Sequence, residues 1–306
     1  MKRLKLLSVL ACALLLCGCV DQHPGDASGS AAGGEPRIIA TSPAVMEICD
    51  RLDLDLIAVC DTENGVDRYQ GLPTVGSAMG PDAEAIALLE PTDVIGPDTL
   101  AEGIEPTYQA AGIPYTFLDL QSVEGMYEGI RMLGEKYDRQ AQAQALIDEY
   151  QATMDAFEQE IAGLEHPRVL MLMGLPGDYI ECTPNSYVGS LVELAGAENV
   201  VQDDMLNFVS WNTEELLKLD PDVILLTAHG MPDMAMEMFS EEFATNDIWQ
   251  HFRAVQDGRV YRLNYDAFNM SCTFAWPEAL NTLKEILYFD NGEVFEMEAK
   301  DTENAA

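Results

Sequence analysis

The sequence predicts an α/β fold in which two Rossmann-like lobes are joined by one long helix. Three observations support this fold class. Short β-branched runs alternate with helix-like stretches in two separate series, a long stretch without proline separates the series, and one helix–proline–strand pattern occurs in both. Such alternation is typical of βα units that pack on a parallel sheet. The 306 residues are enough to build two cores of this kind.

The first lobe is predicted over residues 37–121 and the second over residues 164–289. Their strand-like runs are Arg37–Ala40, Leu56–Val59 and Asp93–Ile95 in the first lobe, and Arg168–Met173, Asp222–Leu226 and Arg259–Leu263 in the second. Residues 122–163 lie between the lobes and are rich in strong helix formers. We therefore expect a single linking helix here, a rigid connection that permits only small lobe motions.

The helix–proline–strand pattern suggests a weak internal repeat. Glu84 and Glu214 each stand seven residues before a proline, Pro91 and Pro221, and an apolar run follows each proline. A proline ends a helix, and turns of this kind recur in many α/β proteins. The equivalent place of the two copies within their lobes favours a repeat over coincidence.

The first residues predict export. Residues 1–18 combine a cationic start with an apolar run that is too short to cross a bilayer, as lipoprotein signal peptides do. They lead into Leu16-Cys17-Gly18-Cys19, which is similar to a bacterial lipobox, so Cys19 is predicted to be the lipidated first residue of the mature chain. An ordinary secretory peptide is the alternative. We expect the protein at the extracytoplasmic face of the cell membrane.

Two further segments are predicted to lie outside the lobes. Residues 19–36 are rich in Gly, Ala, Ser and Asp and predict a flexible tether. Residues 290–306 form an acidic tail that we expect to be disordered.

The charge and the cysteines limit the partners. The formal net charge is −37, and loss of residues 1–18 removes three cations and no acids, which leaves −40. So acidic a surface repels nucleic acid and anionic lipid headgroups, and neither is an expected partner. We expect contact with lipid only through the Cys19 anchor. We also expect a monomer. The remaining cysteines have no metal-ligand spacing, and the sequence does not identify any disulfide pair among them: Cys49, Cys60, Cys182 and Cys272.

Motifs for catalysis are absent, and one histidine stands out. The chain lacks G-x-S-x-G, H-E-x-x-H and G-x-x-x-x-G-K, which favours a binding protein over an enzyme. His229 follows the apolar run 222–226, at the strand end where ligands of open parallel sheets bind. A turn histidine satisfied by backbone is the alternative. Met79 lies in a loop bounded by Gly and Pro in the other lobe, although core packing is the usual role of a methionine.

Ligand chemistry narrows what Met79 and His229 could bind together. One imidazole and one thioether cannot supply the three or four ligands that zinc or manganese needs. They suffice for an iron that already has four porphyrin nitrogens and lacks only its two axial ligands. This interpretation requires the two loops to face one cleft.

Six segments together resemble the class III solute-binding proteins, and among these the haem-binding lipoproteins of iron-regulated surface systems. The resemblance runs in order from about Pro36 to about Phe289, and its segments are Val75–Glu84, Leu170–Gly177, Ser186–Asn199, Asn212–Leu217, Ala228–Pro232 and Asn246–Phe252. It implies that haem, received from surface haemoproteins, is the transported ligand. Met79 in the G-x-x-M-x-P loop and His229 in the H-G-M-P loop would be the axial ligands.

The resemblance also implies a partner. In this class a glutamate on each lobe meets arginines of an ABC transporter permease, and the matching residues are Glu84 and Glu214. The alternative is that both are first-turn acids favoured by a helix dipole.

Other candidate contacts are less specific. Thr41 and Ser42 are expected to open the first helix and to hydrogen-bond haem propionates, with simple N-capping as the alternative. Tyr179 is expected either to pack on the porphyrin or to fill the space between the lobes. The loop 60–70 departs from the more basic family pattern, since it holds three acids and only Arg68 as a cation.

Two other functions remain open at this point. The same fold could bind a ferric siderophore or a corrinoid. Such anionic chelates usually need several arginines, and the chain has only sixteen Lys and Arg residues. A surface lipoprotein with an enzymatic or adhesive role is the other alternative.

Overall fold

Two β-sheets, one in each lobe, form the framework of the protein. The computed structural model describes residues 34–63 and 65–296. The predicted signal peptide, Cys19 and nearly all of the tether lie outside the described residues, as do residues 297–306 of the tail. No helix within the described ranges is long and apolar enough to cross a membrane.

The first lobe contains a four-stranded parallel sheet in the order β2-β1-β5-β6. Its elements are β1 Ile38–Ala40, α1 Pro43–Arg51, β2 Leu56–Val59, β3 Gly76–Ser77, β4 Gly80–Pro81, α2 Ala83–Leu88, β5 Asp93–Pro97, α3 Ala101–Ala111 and β6 Tyr115–Leu118. Strands β3 and β4 form a separate two-stranded hairpin. As predicted, short apolar runs form the buried strands of this sheet.

The linking segment forms two helices, α4 Val123–Lys136 and α5 Gln140–Ile161. The prediction of one helix over residues 122–163 is therefore wrong in this detail. The break lies where the backbone of Asp138 has a positive φ of 57° and the N–H of Arg139 donates to the carbonyl of Gly134. It is stabilised from the first lobe, because the buried carboxylate of Asp93 accepts hydrogen bonds from Lys136 Nζ and Tyr137 Oη. The 22-residue α5 remains the long helix between the lobes.

The second lobe contains a mixed sheet in the order β10-β8-β7-β11-β12, with β9 paired to β7. Its elements are β7 Arg168–Leu175, β8 Asp178–Cys182, α6 Tyr187–Leu194, β9 Glu198–Asn199, β10 Phe208–Val209, α7 Thr213–Lys218, β11 Val223–Ala228, α8 Pro232–Thr245, α9 Arg253–Gln256, β12 Val260–Arg262 and α10 Trp276–Phe289. Strands β7, β11 and β12 are parallel, while β8 turns back antiparallel to β7. The prediction of a parallel sheet therefore holds for β7, β9, β11 and β12, while β8 and β10 are paired antiparallel.

The start of the predicted disordered tail is ordered. Arg262 N–H donates to the carbonyl of Glu293, and Phe295 N–H donates to the carbonyl of Val260. The Phe295 ring is buried against Phe243. The prediction of disorder from residue 290 is thus wrong for residues 290–296, because they pair with the edge strand β12 and bury an aromatic ring.

One hydrophobic cluster runs through both lobes. It includes buried side chains of β1 and α1, of both linking helices, of β7 and of α10. At the junction, Trp276 Nε1 donates to Tyr127 Oη at 3.2 Å, and Tyr150 stacks on Tyr127. Cys272 N–H donates to the carbonyl of Leu120 at 2.7 Å. The lobes therefore share a core rather than meeting only at a hinge.

Candidate functional site

The candidate site lies where the parallel strands of both sheets end. Ligands of open α/β sheets bind at the carboxyl ends of the strands. In the first lobe these ends carry Thr41 after β1, Asp61 near the end of β2, Asp98 after β5 and Asp119 after β6. In the second lobe they carry His229 after β11 and Asn264 after β12.

His229 continues the backbone ladder of β11 by one residue. Its N–H donates to the carbonyl of Gly174 on β7 at 2.9 Å, so the start of the turn is fixed to the sheet. The chain then turns sharply through Gly230 and Met231, and α8 begins at Pro232. The imidazole is half-buried, and no described protein group hydrogen-bonds to it. Its backbone is thus satisfied, while its ring nitrogens remain available to a ligand.

Met79 lies in the two-residue turn of the β3–β4 hairpin. Ser77 pairs with Gly80 across the turn, and the Met79 side chain is 70% exposed. The hairpin is attached to the end of β2 because Asp61 N–H donates to the Gly76 carbonyl at 2.8 Å. Gly76 has a φ of 87°, and a Cβ there would lie 2.7 Å from the Gly80 carbonyl oxygen. The usual role of methionine as core filler therefore does not apply to Met79.

The lobes are in contact where the first sheet ends. Gln121, which follows β6, accepts a hydrogen bond from Asn207 of the second lobe, and its carbonyl accepts one from Ser190. The ends of the first sheet and the loops of the second lobe therefore adjoin. The cavity of about 540 Å³ beside the His229 turn is lined by second-lobe residues only, and Met79 is not among them.

Tyr179 lies close to His229 in the same sheet. Tyr179 lies on β8 and pairs with Gly174 of β7. The carbonyl of Gly174 also accepts the hydrogen bond from the His229 N–H. The Tyr179 ring packs against Phe239 and Trp249, with centroids 5.9 and 6.1 Å away. Its hydroxyl lies 3.5 Å from Thr213 Oγ1. All three of these contacts lie within the second lobe, and its two expected roles, on the porphyrin or between the lobes, stay predictions.

Thr41 and Ser42 have protein partners. Ser42 Oγ accepts from the N–H of Val45 at 3.2 Å and is the N-cap of α1. Thr41 Oγ1 donates to the carbonyl of Ile95 at 3.2 Å, and both side chains are buried. Simple N-capping, the alternative interpretation, is what the structure contains for Ser42.

The charges at the first-lobe edge are acidic. Arg68, the only cation of the loop 60–70, is held by Asp53 at 2.7 Å and by Asp55 at 2.8 Å. The edge itself carries Asp61, Asp98 and Asp119, and burial raises the pKa of the Asp98 carboxyl. The only basic side chain of this loop is therefore occupied elsewhere.

Glu84 and Glu214 occupy equivalent places on two six-residue helices. Each lies exposed in the first turn, behind an N-cap that is Asp82 for α2 and Asn212 for α7. Both helices are followed by an acidic residue with a positive φ, 46° at Glu90 and 45° at Asp220, and then by the proline. The sequence repeat thus corresponds to one structural unit that occurs in each lobe.

Sequence reasoning missed Glu181. This β8 glutamate is fully buried, and its Oε2 accepts the N–H of Trp211 at 2.9 Å, just before α7. Its Oε1 has no hydrogen-bond partner, and burial raises its pKa to about 7. Its position beside the apolar residues Tyr179, Ile180 and Cys182 is the one sequence signal that could have found it.

The described residues contain no group of three or more His, Cys, Asp and Glu side chains placed to hold a metal ion. A family model for periplasmic binding proteins matches residues 38–267. The chain belongs to the periplasmic binding protein family.

Individual known proteins are similar to this periplasmic binding protein over most of its chain. The high-affinity heme uptake system protein IsdE of Staphylococcus aureus (strain Newman) is 35% identical over 293 residues, which are 95% of this chain and 99% of that protein. The crystal structure of an ABC transporter substrate-binding protein from Listeria monocytogenes EGD-e is 40% identical with a TM-score of 0.80, and covers 84% of this chain and 100% of that one. The crystal structure of S. aureus IsdE complexed with heme is 37% identical with a TM-score of 0.78, and covers 83% and 100%.

These comparisons settle the class of this periplasmic binding protein. Its two-lobed α/β architecture with a helical linker is the class III fold, as predicted. Its relatives are substrate-binding proteins of transport systems, so the chain is a binding protein and not an enzyme.

Proposed function

We propose that this protein binds haem between its lobes and delivers it to the permease of an ABC importer at the extracytoplasmic face of the membrane. The observation that carries the proposal is one side chain able to bind iron near the carboxyl ends of the strands in each lobe. His229 offers an imidazole without a described protein partner, and Met79 offers an exposed thioether. Haem transport is also the function named for the relative with 35% identity.

The ligand set favours haem over a bare metal ion. Imidazole and thioether together complete the axial positions of a haem iron, whereas an isolated zinc or manganese ion needs further protein ligands. The described residues provide no cluster of three such ligands. Most of the affinity would come from burial of the apolar macrocycle, and the axial bonds would set its orientation.

An anionic siderophore is the less favoured ligand. The first-lobe edge carries Asp61, Asp98 and Asp119, and Arg68 is paired with two aspartates away from the ligand. Negative carboxylates at an edge repel a negatively charged chelate. A corrinoid remains the second candidate because it shares the flat tetrapyrrole shape.

The proposed delivery uses Glu84 and Glu214 as contacts for permease arginines, and Cys19 as the lipid anchor of the mature chain. The exposed first-turn position of both acids, one on each lobe, supports two-point docking. The protein is expected to act as a monomer that receives haem from surface haemoproteins. No nucleic acid is expected to bind.

A hemin titration tests ligand and site together. Wild-type protein is expected to show the Soret and α/β bands of low-spin six-coordinate haem. The combination of Met79→Ala and His229→Ala is expected to abolish these bands. The matched control replaces Met132 and His251, a methionine and a histidine elsewhere on the surface, by alanine and should leave the spectrum unchanged. Absence of low-spin bands in the wild type, or bands that persist in the double variant, would sink the proposal.

Docking is tested separately in cells. Glu84→Ala combined with Glu214→Ala is expected to retain hemin binding and to lose permease-dependent haem uptake. Glu102 and Glu278, first-turn acids of α3 and α10, provide the control pair. Undiminished uptake in the first pair would show that these acids do not dock the permease.

A further inference from the structure

Met231 has a backbone conformation that suits its side chain poorly. Its φ is 42° and its ψ is 58°, directly after Gly230 with a φ of 70°. Among the described residues, six other than glycine have a positive φ, and the remaining five are aspartate or glutamate. Left-handed backbone is accessible to Gly, Asn and Asp, while a large side chain meets the following carbonyl. Met231 is thus the one apolar residue among these six.

The side chain of Met231 makes few stabilising contacts that could offset this backbone strain. It is 54% exposed, and it is the N-cap of α8 without any side-chain hydrogen bond to the helix. Asn, Asp, Ser or Gly is favoured at such a position. A strained, half-exposed methionine is therefore unexplained by stability alone. Strain of this kind is retained at functional sites when the surrounding structure enforces it.

The position of Met231 in the chain suggests a role for its side chain. It stands two residues after His229, in the turn that leaves the carboxyl end of β11. Consecutive Cα atoms are about 3.8 Å apart, so the Met231 backbone lies within about 8 Å of that of His229. The left-handed pair Gly230–Met231 reverses the chain directly beside the free imidazole. A flexible thioether side chain here can adapt to the flat surface of a bound ligand.

We propose that Met231 is a ligand-contacting residue, whose side chain covers the apolar face of the macrocycle next to the His229 imidazole. The inference rests on the proposed haem function and adds a specific contact to it. Binding buries the half of the side chain that is exposed in the free protein. The strained backbone of the ligand-free protein thus results from the presence of an apolar ligand-contacting side chain at a turn position that favours Gly or Asn.

The test combines stability with affinity. Met231→Asn replaces the residue by one that tolerates left-handed backbone, so the Tm of the ligand-free protein is expected to rise by about 2 °C. The dissociation constant for hemin is expected to rise about fivefold to tenfold, because half of a methionine side chain no longer becomes buried. A residue with a purely structural role would not lose affinity while the protein gains stability.

Further variants keep the proposal falsifiable. Met231→Gly relieves the strain completely and should weaken hemin binding to a similar extent, while Met231→Leu retains the apolar bulk and should bind within about twofold of the wild type. The control, Met132→Asn on α4, should leave hemin affinity unchanged. Wild-type affinity in both the Asn and the Gly variant, or equal losses in the Leu and Asn variants, would overturn the proposed contact. If the wild type itself shows no low-spin hemin spectrum, the haem function fails and not the Met231 contact alone.

Discussion

Replacement of Glu181 by glutamine is expected to stabilise the protein at alkaline pH and to leave its stability unchanged in acid. The carboxyl group is fully buried on β8, accepts one hydrogen bond from the N–H of Trp211 and has one oxygen without a partner. Burial disfavours the ionised form and raises the pKa from 4.5 to about 7.

The magnitude follows from proton linkage. A raised carboxyl pKa means that the folded state holds its proton more tightly than the unfolded state. Stability is therefore full below about pH 4.5 and falls as the pH rises toward 7. At 1.36 kcal/mol for each pKa unit, the loss above pH 7 is about 3 kcal/mol. Glutamine carries no charge at any of these pH values, so it avoids this loss. Its amide, like the protonated acid, leaves one buried polar group without a partner.

Urea unfolding at pH 5, 6, 7 and 8 checks this prediction. The difference between the Glu181→Gln protein and the wild type should be smallest at pH 5, below about 1 kcal/mol, and should grow to about 3 kcal/mol in favour of the variant at pH 8. Glu158→Gln on the exposed side of α5 serves as the control and should show no such divergence. A difference that does not change with pH would refute the reasoning, because it would mean that Glu181 has the same pKa in the folded and unfolded chains.

Three further predictions concern other parts of the protein. Lys136→Met removes the 2.6 Å contact with the buried Asp93 carboxylate. The free energy of unfolding, measured in urea, is expected to fall by about 2 kcal/mol. An unchanged value would mean that water hydrogen-bonds to Asp93 as well as the Lys136 ammonium does. Gly76→Ala forces a Cβ into left-handed backbone beside the Gly80 carbonyl, and should lower the free energy of unfolding by about 2 kcal/mol and weaken the low-spin hemin bands by displacing Met79. A normal hemin spectrum in Gly76→Ala would separate the hairpin from the ligand. The four described cysteines are buried and unpaired. Burial raises the pKa of the Cys49 thiol to about 12 and that of the Cys60 thiol to about 11. A protein consisting of residues 36–306 should therefore not react with a thiol reagent at pH 8 until it is denatured.

Local pattern predicted much of the fold and the position of the site loops. The alternation of apolar strands with helices identified both sheets, because burial on a parallel sheet requires continuous apolar runs. The Gly and Pro residues around Met79 indicated an exposed turn, and the structure places this methionine in a hairpin turn. The role of Met79 and His229 as axial ligands stays a prediction.

Features that depend on distant residues could not be predicted. The break between α4 and α5 is stabilised by Asp93, which lies more than forty residues earlier in the chain. The order of residues 290–296 depends on a free edge at β12 and on a place for the Phe295 ring. Glu181 stands in an apolar run, but its burial depends on the antiparallel pairing of β8 with β7, which the local sequence does not specify.

The hydrophobic cluster shared by the two lobes has a consequence for how the protein can move and melt. Each lobe has a smaller cluster of its own, but the largest cluster joins buried side chains of both sheets with those of the linking helices and α10. Unfolding of one lobe would expose apolar surface of the other, so a single cooperative thermal transition is expected despite the two-lobed outline. The same continuity restricts ligand release to small displacements of edge loops and slight tilting of the sheets. For the proposed delivery to a permease, this means that the rim of the cleft has to loosen, because one lobe cannot swing freely from the other.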